Sequence, residues 1–537
     1  MSAGPIFSKE WLKLRQLAVV MIVLVVVSGG YFIIDLVGQF ANIEPESMMW
    51  YRYSHLGDKP YWWVMYVFLL VASGVALCQF IPEVLGKRIR ILMHLPMSVE
   101  RVIGAHLVVG GSLVLAINAL LVLIVLTGLH HYYPVDIVQA SGRELLLGQL
   151  PAIAMYLGLI SVLVENDWRR KALKLVVAAS VVIYTAQARS HWSDVVGIVL
   201  LLWLLLPVKD SFLSVKTRRL TSVGYTLSFV LIVSGLLGVI SFRVYSQYVT
   251  SPAKYYLFYS HILQDYVYQR NAPHHKFYYG TATKEFDKLE FESVLPFVFW
   301  KNFDIQGKLP IEVEGKSYNK NTIRRSRMSL QYSPERLTPS NLDLYPLFNP
   351  ISDKGSIRFP ENAFAPNRDG FQIYAAETAQ LNKQLSENLN QLAVEHGVQF
   401  PIQAVWGKTT NMKPFDWGYF VKDSTGELFN LRRADNQLSL TSVASISGEE
   451  IDYLQVSENR HKKFYGYAIT KSDNIYLLGY PDYQWIKLDV SNFDRKSMSF
   501  QLLADPISYL LRYDDGGKYY AVRFDKQYRR IDDTVFE

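Results

Sequence analysis

The sequence predicts a polytopic α-helical membrane domain followed by a β-rich C-terminal domain. Three observations predict it. Almost all the long apolar runs of the 537-residue chain lie before Phe242–Ser251. After that boundary Tyr, Phe and Trp recur at short intervals among polar residues, a composition that suits short strands. Between the apolar runs, basic residues are concentrated in alternate loops.

A bilayer span needs about 20 apolar residues. The candidates are Leu17–Val37, Trp62–Ile81, Val102–Leu129, Leu146–Val164, Leu173–Gln187, Val195–Val208 and Ser222–Phe242. The fifth and sixth are short. The expected number is therefore seven, or six if those two form a hairpin that does not cross fully. With the N-terminus in the cytoplasm, the inner segments hold Lys9, Lys13 and Arg15; Lys87, Arg88, Arg90 and Arg101; Arg169, Arg170, Lys171 and Lys174; and Lys209, Lys216, Arg218 and Arg219. The outer loops hold only Arg52, Lys59, Arg143 and Arg189. Such an excess marks the cytoplasmic side. An odd number of spans then places the chain after Phe242 outside the cytoplasm.

The net charge of +7 follows from this topology, so nucleic acid is not an expected partner. The single cysteine, Cys78, excludes an intrachain disulfide framework and a cysteine-built metal site. The charged stretch Phe7–Gln16 precedes a first run too long for a signal peptide, and no small-residue cleavage site follows it. Polar residues inside spans are functional candidates by default. Asp35 and Asn118 are therefore candidates for a translocation path, against the plainer readings of an interfacial acid and a helix-packing amide, while His106, near the inner membrane face, is expected to be interfacial.

The loop after the second span carries more than a connector needs. From Val84 to Leu95 a helix would set Val84, Leu85, Ile89, Leu92 and Met93 on one stripe, with Lys87, Arg88 and Arg90 elsewhere. Pro96 would end it, and Ser98 would cap the next helix. An apolar stripe of this kind can enter a groove, and its charges can steer docking. The plainer alternative is a basic loop lying on anionic lipid.

Two segments here resemble permeases of the ABC-2 transporter family. Ile6–Gln16, "IFSKEWLKLRQ", resembles their amphipathic elbow helix, with Lys9, Glu10, Trp11 and Arg15 as its elements. Glu83, Gly86, Lys87, Arg88, Arg90, Leu92, Met93, Leu95, Pro96 and Arg101 resemble their first cytoplasmic loop, which couples to an ATPase. The resemblance implies a non-catalytic permease subunit in a bacterial inner membrane, with a cytoplasmic ABC ATPase subunit, a second permease copy or paralogue, and membrane lipid as partners. ATP would sit on the ATPase, and this chain would carry no cofactor or metal. The chain indeed lacks a G-x-x-x-x-G-K-[ST] motif; "GGSLV" at Gly110–Val114 has no lysine. It departs from the family in a seventh span, which would export a fused periplasmic or extracellular domain. The expected organisation is an elbow over 1–16, a permease-like domain over 17–244, a stalk over 245–270 and the outer domain over 271–537.

In the outer domain Ala376–His396 reads as a helix, with Leu381, Leu385, Leu389 and Leu392 on one face. From about residue 415 the chain repeats loosely: "GYFVKDSTG" from Gly418, "GYAITKSDN" from Gly466 and "YLLRYDDGG" from Tyr509. Each copy reads as strand, polar turn, strand, turn, strand, with the turns at Asp423–Gly426, Lys471–Asn474 and Asp514–Gly517. Repeats of this length suggest propeller-like blades. The segments "FPENAFAPNRDGFQIY" and "VWGKTTNMKPFDWGYF" resemble an uncharacterised family of bacterial domains found in proteins with permease-like membrane halves; that resemblance implies architecture and no chemistry. Paired histidines at His130–His131 and His274–His275 lack ligand spacing, and no Ser-His-Asp signature is evident. The expected function is thus a transporter permease subunit. The alternative is a membrane-anchored extracytoplasmic binding or sensory protein without transport.

Overall fold

In the computed structural model, residues 4–42, 45–93, 98–187, 191–216, 254–272, 276–338 and 342–537 are described, with a few residues between 230 and 245. The chain divides into two compact units, Met1–Gln247 and Tyr248–Glu537.

The first unit is helical. Its elements are α1 (Gly4–Asn42), α2 (Glu46–Leu56), α3 (Val64–Leu85), α4 (Arg88–Met93), α5 (Val99–Tyr132), α6 (Val135–Leu147), α7 (Gln149–Val164), α8 (Trp168–Ala186) and α9 (His191–Lys216). Five stretches are long and apolar enough to cross a membrane: Ile6–Asn42, Val64–Leu85, Val99–Tyr132, Val135–Val164 and Trp192–Val215. The expected fifth span is α8. It packs between α7 and α9, but Arg169, Arg170, Lys171 and Lys174 in its first two turns lower its apolar content. The expected seventh, Ser222–Phe242, lies mostly outside the described residues, so seven spans are not shown.

The expected separate elbow is also corrected. Ile6–Gln16 forms the first turns of one continuous 39-residue helix. No proline or glycine interrupts it between Ile6 and Ser28, and at 1.5 Å per residue it extends about 58 Å, well beyond the ~30 Å of a hydrocarbon core.

The second unit is built from open antiparallel sheets. Its strands are β1 (Lys254–Ser260), β2 (Asp265–Ala272), β3 (Lys276–Gly280), β4 (Glu285–Phe286), β5 (Ile311–Val313), β6 (Lys316–Tyr318), β7 (Met328–Tyr332), β8 (Tyr345–Leu347), β9 (Asn362–Pro366), β10 (Phe371–Ala375), β11 (Ala404–Gly407), β12 (Tyr419–Lys422), β13 (Leu428–Ala434), β14 (Gln437–Val443), β15 (Ile451–Val456), β16 (Phe464–Thr470), β17 (Ile475–Gly479), β18 (Trp485–Leu488), β19 (Ser499–Ala504), β20 (Tyr509–Asp514), β21 (Tyr519–Phe524) and β22 (Arg530–Phe536). The helices are α10 (Lys288–Ser293), α11 (Trp300–Ile305), α12 (Lys320–Ser326) and α13 (Lys383–Glu395). Of the expected stalk over 245–270, residues 254–270 belong instead to the hairpin β1–β2, paired from Lys254↔Asn271 to Ser260↔Asp265; residues 246–253 lie outside the described residues. Its tyrosine-rich sequence suits a strand with both faces covered.

The three sequence repeats each supply the last three strands of a four-stranded meander: β11–β14, β15–β18 and β19–β22, the last extended by β7. Each polar turn falls between the first two strands of its repeat. The sheets pack face to face. One core lies between β1–β4 and β19–β22, through Leu257, Tyr266, Leu510 and Ala521. A second joins β19–β22 to β15–β18, through Leu511, Val522, Tyr467 and Leu477. A third joins β15–β18 to β11–β14, through Ala468, Leu478, Phe420 and Leu428. A fourth joins β11–β14 to β8–β10 and α13, through Leu431, Phe364 and Leu389. Neighbours on one strand therefore serve opposite cores, as Leu510 and Leu511 do, because side chains alternate across the pleat. Gly466 lets two strands touch: a Cβ there would lie 1.8 Å from the Gln455 carbonyl oxygen. The described residues form no closed propeller or barrel, which corrects that expectation.

The expected helix from Ala376 begins later, at Lys383. Residues before it pair back onto β10 through a Tyr374↔Leu381 bridge, and the Asn382 side chain caps α13 by accepting from Leu385 N at 3.1 Å. Leu389 is buried and Leu385 and Leu392 partly so, while Leu381 is exposed. Asn382→Ala is expected to lower stability by about 1 kcal/mol, read as faster amide exchange confined to α13.

Candidate functional site

The first site lies at the basic end of the helical unit, where α1 begins, α3 ends and α5 begins. Glu10, Gln79, Glu83 and His106 there are all fully buried. Lys13 Nζ donates to Glu10 Oε1 at 2.8 Å, to Glu83 Oε1 at 3.0 Å and to the Gln79 carbonyl at 2.8 Å. Lys9 Nζ lies 2.8 Å from Glu83 Oε1. Two ammoniums and two carboxylates balance, which is what makes such burial tolerable. His106 Nδ1 donates to the Val102 carbonyl at 2.8 Å, leaving Nε2 facing Glu10 Oε1 at 3.5 Å. Gln79 continues the network: its Nε2 donates to the His106 carbonyl at 2.9 Å and its Oε1 accepts from Tyr156 of α7 at 2.7 Å. Gly110 makes room for this, since a Cβ there would lie 2.0 Å from the Tyr156 hydroxyl.

A second balanced network joins α7, α8 and α9. Lys174 Nζ donates to Glu165 Oε2 at 2.7 Å, Asp210 Oδ2 at 2.8 Å and Ser211 Oγ at 2.6 Å. Arg170 pairs with Asp210 and lies 3.6 Å from Glu165. The Asp167 side chain starts α8 by accepting from Arg169 N and Arg170 N. Lys209 of α9 reaches Glu100 of α5 at 2.9 Å, so the two networks share one framework.

Between them stands α4. The predicted helix over Val84–Leu95 is broken: α3 ends at Leu85, Gly86 follows, and Lys87 adopts a left-handed φ of 52°. Pro82 and Gly86 weaken the helix at this point. Of the described residues of the expected stripe, Ile89 is buried, Val84 is half-buried and Leu85 is 78% exposed; Ile91 is 69% exposed, beside exposed Lys87, Arg88 and Arg90. α4 packs against α9 and the ends of α3 and α5. The side chains of Leu92 and Met93 lie outside the described residues, as do Leu95 and Pro96 entirely. Ser98 occupies the cap position of α5, but its hydroxyl makes no capping bond.

The structure thus brings Lys9, Glu10 and Glu83 together, and leaves Trp11, Arg15 and Arg101 exposed. Asp35 is half-buried and accepts from Gln39 of its own helix at 2.8 Å. Asn118 is buried with neither amide atom hydrogen-bonded. Sequence reading gave Gln79 and Tyr156 no role and placed His106 at the interface; a polar residue one or two turns from a span end was the available signal.

The second unit holds a cavity of about 360 Å³ between β1–β2 and β19–β20, walled by Phe258, Leu295, Phe297 and Leu510 and reached by Arg512 and Asp505. His261 Nε2 lies 2.9 Å from Asp505 Oδ2 and 3.3 Å from Ser508 Oγ, and Nδ1 lies 3.4 Å from Glu314. Burial alone would raise the Asp505 carboxyl. His261 and the amides of Ser508 and Ile507 outweigh it and hold the group below the usual carboxylate range. The proton on Nε2 belongs to the contact with Asp505, so this nitrogen is not free to serve as a base for Ser508. Among the described residues no cluster of His, Cys, Asp and Glu could hold a metal ion. The Asp514–Gly517 stretch is the β20–β21 hairpin turn.

No curated protein and no solved structure matches the chain. The family described as "Domain of unknown function (DUF4857)" matches residues 256–522, from β1 to β21, so the sheet-bearing unit of this chain is similar to that family.

Proposed function

We propose that this chain is the permease subunit of an ABC transporter, moving a cargo across a bacterial inner membrane with energy from a separate cytoplasmic ATPase. The observation that carries this reading is the exposed face of α4. The end of α3 and the start of α4 together offer Leu85 and Ile91 with Lys87, Arg88 and Arg90, and the helices around them are anchored by two buried ionic networks. A partner that grips α4 pulls on helices that cannot shift singly without breaking paired buried charges. ATP binding then biases the bundle between two arrangements, which is what coupling requires. In this reading α8 crosses with the five apolar helices, the basic end faces the cytoplasm, and a further crossing near 222–242 carries the sheet-bearing domain outside. A second copy or paralogue completes the permease.

The test is affinity purification from the native membrane with mass spectrometry, beside the variant Leu85→Asp, Arg90→Glu, Ile91→Asp. All three positions are exposed, so the fold is expected to survive. A P-loop ATPase should accompany the wild type and be lost from the variant. If no ATPase accompanies the folded wild type, the alternative stands: a membrane-anchored binding or sensory protein, which the cavities of the second unit favour.

A further inference from the structure

In the second unit Lys413 and Lys422 are buried, Arg495 and Arg523 are half-buried, and all four sit in ion pairs. Three other cations share a cavity that no acid lines. A cavity of about 460 Å³ lies where the C-terminal end of α12, the loop before β16 and the β21–β22 turn converge. Arg325, Lys463 and Lys526 line it, with His461, and no acidic residue does. None of these four side chains forms an ion pair among the described residues.

The two lysines crowd one ring. Lys526 Nζ lies 4.4 Å from the centre of the Tyr509 ring, and Lys463 Nζ lies 3.3 Å from the Tyr509 hydroxyl. Lys526 also donates to the backbone carbonyls of Asp505 and Ser508, which fix its position without neutralising it. Burial, with Lys463 adding to it against the pull of Asp505, lowers Lys526 to about 8. Cations held together without a counter-charge are costly, and an anion placed among them would remove that cost. Met328 and Phe464 supply an apolar floor, so the cavity has room and surface for an organic body beside the anion.

We propose that this cavity binds a phosphate ester, its phosphate held by Arg325, Lys463 and Lys526 and its carbon body resting on Phe464 and Met328. A dianionic phosphate with several acceptor oxygens matches three separate cationic donors better than a carboxylate, which offers one plane and one charge. The phosphate can come from a soluble metabolite or a lipid headgroup. The site is independent of the transport reading and survives its failure.

The full-length protein in neutral detergent is titrated calorimetrically with inorganic phosphate, glycerol 1-phosphate and dihexanoyl phosphatidic acid, both esters being phosphate monoesters. Saturable binding of a phosphate ester is expected, tighter than inorganic phosphate, and weakened about tenfold for each cation removed in Arg325→Gln and Lys463→Gln. Arg325 and Lys463 are exposed, so these variants are expected to fold, and native amide exchange across β16 and β20 checks it. Tighter binding of glycerol 1-phosphate points to a soluble ligand, and tighter binding of the phosphatidic acid to a headgroup. Absence of binding by the wild type at millimolar ligand, or binding unchanged in both folded variants, overturns the proposal.

Discussion

Lys174→Ala is expected to destabilise the helical unit by about 3–5 kcal/mol, the cost of removing one partner from a buried ion cluster. Lys174 is nearly fully buried, and its ammonium satisfies Glu165, Asp210 and the Ser211 hydroxyl. Without it, two buried carboxylates share only Arg170. Unfolding of the detergent-solubilised protein under denaturant reads the loss. Arg169→Ala, an exposed neighbour, should stay within about 0.5 kcal/mol. The double variant Lys174→Met, Glu165→Gln is the sharper test. It leaves Arg170 with Asp210 as a balanced pair and should recover much of the loss, since replacing a whole buried pair is far cheaper than halving one. Equal losses in the single and double variants would mean that Lys174 acts by packing, not by charge balance.

The second expected result is a fall in stability of the sheet unit as pH rises from about 4.5 to 7, abolished by Glu458→Gln. Lys413, Asp416 and Glu458 are buried together beneath the β11–β14 meander. Lys413 pairs with Asp416 and lies 3.1 Å from Glu458 Oε1, which also accepts from Trp417 N at 2.9 Å; Glu458 Oε2 has no partner. One ammonium faces two acids, so one carboxyl in this core has no counter-charge when both are ionised. Burial, with Asp416 adding to it against the pull of Lys413, pushes Glu458 from its ordinary 4.5 up to about 7. Below 4.5 the group is protonated in both folded and unfolded chains. Between 4.5 and 7 the unfolded chain releases the proton while the folded one keeps it, so folding becomes less favourable as pH rises. The loss reaches up to about 3 kcal/mol by neutral pH at 1.36 kcal/mol per pKa unit. Amide exchange of β12 and β16 across this range reads it. A profile in Glu458→Gln as steep as in the wild type would place the titrating group elsewhere.

Both expectations rest on contacts that no local pattern announces. Lys174 and Asp210 are separate charged residues in the sequence, each readable as an interfacial charge; only the packing of α8 against α9 makes them one object. Glu83 and Lys9 were singled out as parts of two different segments, and the structure joins them at 2.8 Å. His106 was read as interfacial because it stands near a span end. It is buried because α1 continues past the expected end of its span and covers it. The propeller expectation failed for a related reason. The repeat fixes a meander in each copy, but closure depends on how sheets stack. Here the stack also recruits β1–β4, β7 and β8–β10, segments that share no repeat.

The sequence by itself determined the division into an apolar helical half and an aromatic strand-rich half, the alternation of basic loops, the meander of each repeat and the sites of their polar turns. These follow from short-range rules: hydrophobic run length, side-chain alternation and the chemistry of turn residues. Tertiary structure alone decided which charges meet, which strand faces share a core, and that Arg325, Lys463 and Lys526 line one cavity. Those outcomes depend on contacts between residues tens to hundreds of positions apart. The energy of burying a charge is set by the neighbour that packing brings to it, not by the residues beside it in the chain.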